Sequence, residues 1–68
     1  MKYKTGDLLI STDQLIIDTK NHRREQCKKN RYFLIIGTNN QSCELICQET
    51  GSISVWPVSA LKHCFNKV

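Results

Sequence analysis

The sequence contains few residues that bend or interrupt a chain, with one proline and three glycines among its 68 residues. Three glycines are too few for a glycine-rich phosphate-binding loop, so no nucleotide site of that type is indicated. A long apolar run is also missing. The longest unbroken run covers residues 33–36, whereas a membrane-spanning helix needs about 20 apolar residues.

The length of the chain limits it to one small domain, predicted over residues 1–68. A chain of about 60 residues buries only about 60% of the surface that its unfolded form exposes. A chain of this length is too short for a two-domain enzyme or for a parallel sheet covered by several helices. Hydrophobic residues make up 40% and charged residues 24% of the sequence. This composition is that of a globular protein and not of a disordered one.

Four cysteines in a chain of this length raise the question of a disulfide scaffold. They are Cys27, Cys43, Cys47 and Cys64. Asp7 interrupts the basic N-terminal stretch before any apolar segment of signal-peptide length, so we expect a cytoplasmic protein, not a secreted one, whose thiols are free and act as small buried apolar groups. If Cys43 and Cys47 share a strand, their Cα atoms are about 13 Å apart, too far for a disulfide or a shared zinc ion. Other disulfide pairings, and a zinc site that includes His22 or His63, remain alternatives.

Short apolar stretches separated by turn residues indicate an all-β fold. Cys43, Leu45 and Cys47 recur at the period of two that is typical of a strand with unequal faces. Ile53 and Val55 alternate with serines in the same way. One helical turn is predicted before the last strand, with Ser59 as its N-cap. The five strands are predicted over residues 8–10, 32–36, 43–48, 53–56 and 65–68.

A basic segment over residues 20–31 accounts for the positive charge of the chain. It holds six basic residues and one acidic residue, a charge of +5, while the rest of the chain holds four basic and five acidic residues, a charge of −1. A helix capped by Asp13 and running to Lys29 is one interpretation, since no glycine or proline interrupts it. The apolar residues there are consecutive, at 15–17, and form no helical stripe. We therefore favour an extended arm followed by a mobile loop.

Two segments carry a resemblance to a known family: Lys4-Thr5-Gly6-Asp7-Leu8-Leu9 and Val55-Trp56-Pro57-Val58-Ser59-Ala60-Leu61. Together with the order of strands, they resemble the small SH3-like β-barrel proteins common in tailed bacteriophage genomes. The resemblance implies a five-stranded SH3-like barrel with a long basic loop after the first strand and a short helical turn before the last. It also implies a protein of the infected host cell or of the virion. The long basic segment departs from that family, which has a short glycine-containing segment at this point.

The basic segment is the feature of the sequence that most suggests a partner. Its cations can contact the phosphates of a nucleic acid, with Tyr32 stacking on a base. They can equally dock on an acidic protein surface, or only keep the loop solvated. Trp56 is predicted to pack in the core or, if it is exposed beside Pro57, to anchor a partner in a groove. The predicted partner-binding residues are Lys20, Arg23, Arg24, Lys28, Lys29, Arg31, Tyr32 and Trp56.

Residues for catalysis are not arranged in a recognisable pattern. His63 and Cys64 are adjacent in sequence, and adjacent side chains on a strand point to opposite faces. No set of nucleophile, base and orienting group is visible, and no cofactor or metal motif is present. We therefore predict a non-enzymatic module that binds a macromolecule. The first hypothesis is protein–protein contact with a phage structural protein or a host protein, and the alternative is nucleic-acid binding through residues 20–31.

Overall fold

The computed structural model describes residues 3–68, which form short strands and one short helix. All strand pairings are antiparallel. In chain order the elements are β1 (Leu8–Ser11), β2 (Leu15–Asp18), β3 (Arg24–Cys27), β4 (Tyr32–Thr38), β5 (Ser42–Cys47), β6 (Ile53–Pro57), α1 (Val58–Cys64) and β7 (Phe65–Lys67). The predicted all-β class is confirmed.

Five of these strands form one sheet in the order β6-β5-β4-β1-β7, and β2 and β3 form a separate hairpin. A single bridge between Thr19 and Ser54 joins the hairpin to the free edge of β6, and the backbone N–H of Lys20 donates to the carbonyl of Ile53 beside it, at 2.8 Å. The sheets are open. The closed five-stranded barrel predicted from the sequence is therefore not what the described residues form.

The basic segment is neither a mobile loop nor a helix, because much of it belongs to the β2–β3 hairpin. The three consecutive apolar residues at 15–17 are explained by strand alternation: Leu15 and Ile17 are buried, while Ile16 is 70% exposed. Cys27 pairs with Leu15 and is buried on the same side. The hairpin thus contributes one apolar face to the core. This packing gives the segment an ordered structure, which its charge does not indicate.

The core lies between the inner face of the five-stranded sheet, the hairpin and α1. The phenyl rings of Phe33 and Phe65 meet edge to face, with their centroids 5.0 Å apart. Leu61 is the buried residue of α1. The helix begins after Pro57, and Ser59 lies inside it, so the predicted N-cap at Ser59 is wrong. Proline fits this position because its fixed φ and missing N–H suit a helix start.

Strand β6 directs its serine inward and a valine outward. Ser54 is buried, whereas Val55 is 52% exposed. Two contacts account for this orientation: the indole N–H of Trp56 donates to Ser54 Oγ at 2.9 Å, and Thr19 of the hairpin, itself buried, lies opposite Ser54. A buried hydroxyl needs such partners, because burying it without one costs about 1–3 kcal/mol.

The four cysteines are free thiols in the structure. Cys27, Cys43 and Cys47 are buried, which confirms the interpretation of these residues as small core groups, and Cys64 is partly buried. Burial raises the pKa of the Cys43 thiol. Within residues 3–68, no helix is long and apolar enough to cross a membrane.

Candidate protein-contact surface

The hairpin separates the basic residues that the sequence places in one segment. Lys20 and Arg23 lie at the turn between β2 and β3, and Lys28 and Lys29 follow β3 at its other end. Arg23 and Lys28 are five residues apart, about 16 Å along an extended chain. The six predicted cations therefore do not form one continuous basic patch.

Half of these cations are also neutralised by ion pairs. Lys20 Nζ lies 2.9 Å from Glu44 Oε2, Arg24 Nε lies 3.4 Å from Asp18 Oδ1, and Arg31 Nε lies 2.6 Å from Glu49 Oε2. Each pair uses an acidic residue from outside the segment. Among the described residues, the cations of the segment that have no ion pair are Arg23, Lys28 and Lys29.

The two aromatic residues predicted to bind a partner lie in different places. Tyr32 opens β4 and is 47% exposed. Trp56 is partly buried at the rim of the core, with its indole edge to face against Phe65 at 5.2 Å. It also lines a shallow cleft of about 160 Å³ with Val55 and Ile16. Trp56 therefore combines core packing with partial exposure, and only Tyr32 is well exposed.

A polar cleft of about 430 Å³ separates the hairpin turn from the turn between β5 and β6. Lys20 and Arg23 line it together with Glu25. The Glu25 carboxylate accepts hydrogen bonds from Ser52 Oγ at 2.7 Å and from Thr50 Oγ1 at 3.5 Å. These contacts hold the hairpin against the sheet. The cleft contains charges of both signs, so it is not a simple anion site.

The outer face of the five-stranded sheet carries a row of apolar side chains that the sequence reasoning missed. Leu8 of β1 lies opposite Leu34 of β4, Leu34 lies opposite Ile46 of β5, and Ile46 lies opposite Ile53 of β6. Four strands at a spacing of about 4.8 Å make this row about 14 Å long. None of the four residues is buried: Leu8 is exposed, and the other three are partly exposed.

Further apolar residues widen this row into a face. Tyr32 lies opposite Ile10, and Val55 lies opposite Glu44. Ile36 occupies the irregularity between β4 and β5 and is exposed. The Glu44 carboxylate is the acidic group on this face, and it is paired with Lys20. The apolar face, as we call the row and its neighbours, is therefore close to neutral. Its members are Leu8, Ile10, Tyr32, Leu34, Ile36, Ile46, Ile53 and Val55.

One sequence signal does point to the apolar face. A strand with one face in water alternates between apolar and polar residues, whereas a strand covered on both faces is apolar throughout. β4 is of the second kind: Phe33 and Ile35 are buried on the inner face, and Leu34 and Ile36, which alternate with them, are also apolar. Residues 8–10 of β1 are likewise all apolar. The unbroken runs therefore indicated two apolar faces.

The titratable side chains of the described residues do not assemble a metal site. No group of three or more His, Cys, Asp or Glu residues is placed to hold a metal ion within residues 3–68. The pKa of the Asp7 carboxyl is lowered by the hydrogen bond from the Lys4 backbone N–H, at 2.9 Å, and by the Lys67 ammonium at 3.2 Å. This pair joins the N-terminal turn to β7 and is a structural contact.

Comparisons of the chain with protein-family models, with curated proteins and with solved structures found no match. The geometry of the apolar face is therefore the observation that bears most directly on function.

Proposed function

We propose that this chain is a non-enzymatic module that makes protein–protein contacts through its apolar face. The observation that carries the proposal is the partly exposed apolar row from Leu8 to Ile53, which crosses four strands. Contiguous exposed apolar patches of this kind on small proteins mark interaction sites. The partner is a protein surface that is apolar and nearly neutral, because the charges on and beside the face are already paired.

The arrangement of the apolar face resembles the anatomy of known interfaces. Such interfaces have an apolar centre depleted in charge and a polar rim. The Lys20–Glu44 pair borders the face on the β5–β6 side, and the Arg31–Glu49 pair lies at the end of the sheet beside Tyr32. Tyr32 is the aromatic residue on the face, and tyrosine is among the residues enriched at binding hot spots.

We also propose that the fold belongs with the SH3-like proteins of tailed bacteriophages. Part of the order of elements supports this: two tight connections link β4, β5 and β6, and α1 precedes β7. The β2–β3 hairpin after β1 is the point at which the chain departs from that family. The sheet order β6-β5-β4-β1-β7 places the first and last strands side by side. The hairpin covers the free edge of β6 through the Thr19–Ser54 bridge. Under this proposal the partner is a phage structural protein or a host protein.

Nucleic-acid binding is the alternative function, and the unpaired cations are the observation that favours it. Arg23, Lys28 and Lys29 remain available for phosphate contacts. They lie at opposite ends of the hairpin, and Tyr32 is part of the apolar face. The geometry therefore supports this alternative less well than protein contact.

A variant of the apolar face provides the test. Leu34→Thr combined with Ile46→Thr replaces two central apolar side chains of the row by a polar residue that also favours strands. The control is Ile16→Thr, since Ile16 is exposed on the hairpin, which is a different sheet from the one that carries Leu34 and Ile46. Sedimentation velocity over a range of concentrations measures self-association. Affinity capture from phage-infected and uninfected cells measures binding to other proteins.

We expect the wild type and Ile16→Thr to bind the same partner, or to self-associate equally, at low and high salt. The double variant should lose this binding while keeping its circular-dichroism spectrum. Equal binding by the double variant would contradict the proposal. Binding that is lost instead when Arg23, Lys28 and Lys29 are replaced by glutamate, and that falls steeply with salt, would favour the nucleic-acid alternative.

A further inference from the structure

Two thiols from different sheets share one small cavity. Cys27 is the last residue of β3 and Cys47 is the last residue of β5. Both are buried, at 8% and 4% exposure, and both line a cavity of about 90 Å³ between the hairpin and the five-stranded sheet. The same cavity is lined by Arg31 and Glu49, whose side chains form an ion pair.

The other two cysteines are not placed in this way. Cys43 lies four residues before Cys47 on the same strand, about 13 Å away. Cys64 ends α1 and is partly buried. Neither lines the cavity that Cys27 and Cys47 share. The described thiols thus form one facing pair and two separate groups.

We propose that Cys27 and Cys47 are a redox-modification site that low-molecular-weight disulfides such as oxidised glutathione convert to an intramolecular disulfide. One protein thiolate attacks the glutathione disulfide, releases one glutathione and forms a mixed disulfide. The second protein thiolate then attacks the protein sulfur of the mixed disulfide and releases the second glutathione. The protein loses two hydrogen atoms, and one molecule of oxidised glutathione becomes two of reduced glutathione.

The surroundings of the cavity slow the reaction of Cys27 with an oxidant. Burial raises the pKa of the Cys27 thiol to about 11, with a further contribution from the neighbouring Cys47 and from Glu49. The thiolate is the nucleophile in disulfide exchange, so the exchange is slow at neutral pH and becomes faster as the pH rises toward this pKa. Of the charged groups that line the cavity, Arg31 lowers the pKa of Cys27, and Arg31 is paired with Glu49, which lines the same cavity.

The bond would connect the hairpin covalently to the sheet. In the reduced protein, the described contacts between them include the Thr19–Ser54 bridge and the hydrogen bonds to Glu25. The burial of Leu15, Ile17 and Cys27 in the core also holds the hairpin to the sheet. The disulfide requires the Cα atoms of Cys27 and Cys47 to lie within about 7 Å. A disulfide closed across residues 27–47 should raise the melting temperature by at least about 5 °C.

Peptide mapping tests the proposal directly. The protein is incubated at pH 8.5 with oxidised glutathione, alkylated, and digested with trypsin and a glutamyl endoprotease. Cleavage after Glu44 places Cys43 and Cys47 on different fragments, so the cross-link can be assigned. The expected product joins fragments 26–28 and 45–49, two hydrogen masses lighter than their sum, and the oxidised wild type melts at higher temperature.

Single variants supply the controls. Cys43→Ala and Cys64→Ala should still give the cross-linked product, and Cys27→Ala and Cys47→Ala should not. The melting shift of the wild type is measured without any substitution, so it does not depend on whether a variant folds. Mixed glutathione adducts alone, a cross-link through Cys64, or an unchanged melting temperature in the oxidised wild type would each overturn the proposal.

Discussion

Adjacent residues on β5 provide the sharpest test of which face of the sheet is covered. Leu45 is fully buried on the inner face, and Ile46 lies on the apolar face. Removing the Leu45 side chain in Leu45→Ala should cost about 3 kcal/mol of unfolding free energy, since it leaves a cavity in the core. Ile46→Thr should cost about 1 kcal/mol or less, since that site is partly exposed and threonine keeps the β-branch.

Urea denaturation followed by tryptophan fluorescence measures both values, because Trp56 is the single tryptophan and packs against the core. A chain of 68 residues has a total stability of about 3–10 kcal/mol. With a denaturant slope of about 1 kcal/mol per molar urea, Leu45→Ala should lower the midpoint by about 3 M. Ile46→Thr should lower it by about 1 M or less.

The difference between the two variants is the informative quantity. If Ile46→Thr costs as much as Leu45→Ala in dilute solution, the face is covered within the single chain and is not open to a partner. If the cost for Ile46→Thr is large only at high protein concentration, a second copy covers the face. Ile16→Thr is the matched control. Because Ile16 is 70% exposed, this substitution should lower the free energy of unfolding only slightly at every protein concentration.

Three further predictions follow from local contacts. Ser54→Ala leaves the Trp56 indole N–H without its acceptor and should cost about 1–3 kcal/mol, with a shift of the tryptophan emission maximum on excitation at 295 nm; an unchanged spectrum and stability would contradict the role of this bond. The pKa of Cys27 is raised by burial to about 11, from 9.0 for an unperturbed thiol. This leaves about 100-fold less thiolate than an ordinary cysteine has at neutral pH, so alkylation of Cys27 should be about 100-fold slower in a time course followed by peptide mapping. Because the Cys27 thiol loses its proton at lower pH in the unfolded chain than in the folded one, the free energy of unfolding should fall as pH rises from about 9 to about 11. Equal alkylation rates for Cys27 and an ordinary cysteine, or stability that rises over this pH range, would contradict the raised pKa of Cys27. Finally, three unpaired cations limit the salt slope of DNA binding to about −2.7 in log K against log salt; a steeper slope in fluorescence anisotropy would show that the paired cations also bind phosphate.

The strands of the five-stranded sheet were readable from the sequence because their signals are local. Tyr32 to Ile36 is a run of aromatic and β-branched residues, and Cys43, Leu45 and Cys47 recur at the strand period. Gly51 has a φ of 76° in the turn between β5 and β6, a conformation that glycine adopts without steric cost. Helix α1 was also predicted, and its start was placed two residues late.

The hairpin and the apolar face were not readable in the same way. β3 has the sequence Arg-Glu-Gln-Cys, in which Cys27 is the apolar member, so its strand character depends on pairing with β2. The outward position of Ile46 depends on its register with Leu34 and Ile53, which are distant in sequence. Ion pairs such as Arg31–Glu49 join distant segments in the same manner. Each of these features is set by tertiary contacts, which local periodicity does not report.

The distribution of apolar residues argues that the fold needs an external surface to be complete. Two elements pack on the inner face of the sheet. The hairpin contributes Ile17 and Cys27, and the helix contributes Leu61. The outer face has the same four strands and comparable side chains, which are exposed or partly exposed. Polar residues could occupy this face at little cost in stability, since threonine in place of Leu34 or Ile46 does not lower the strand propensity. Under the proposed function, a protein partner buries the apolar residues at these four neighbouring strand positions.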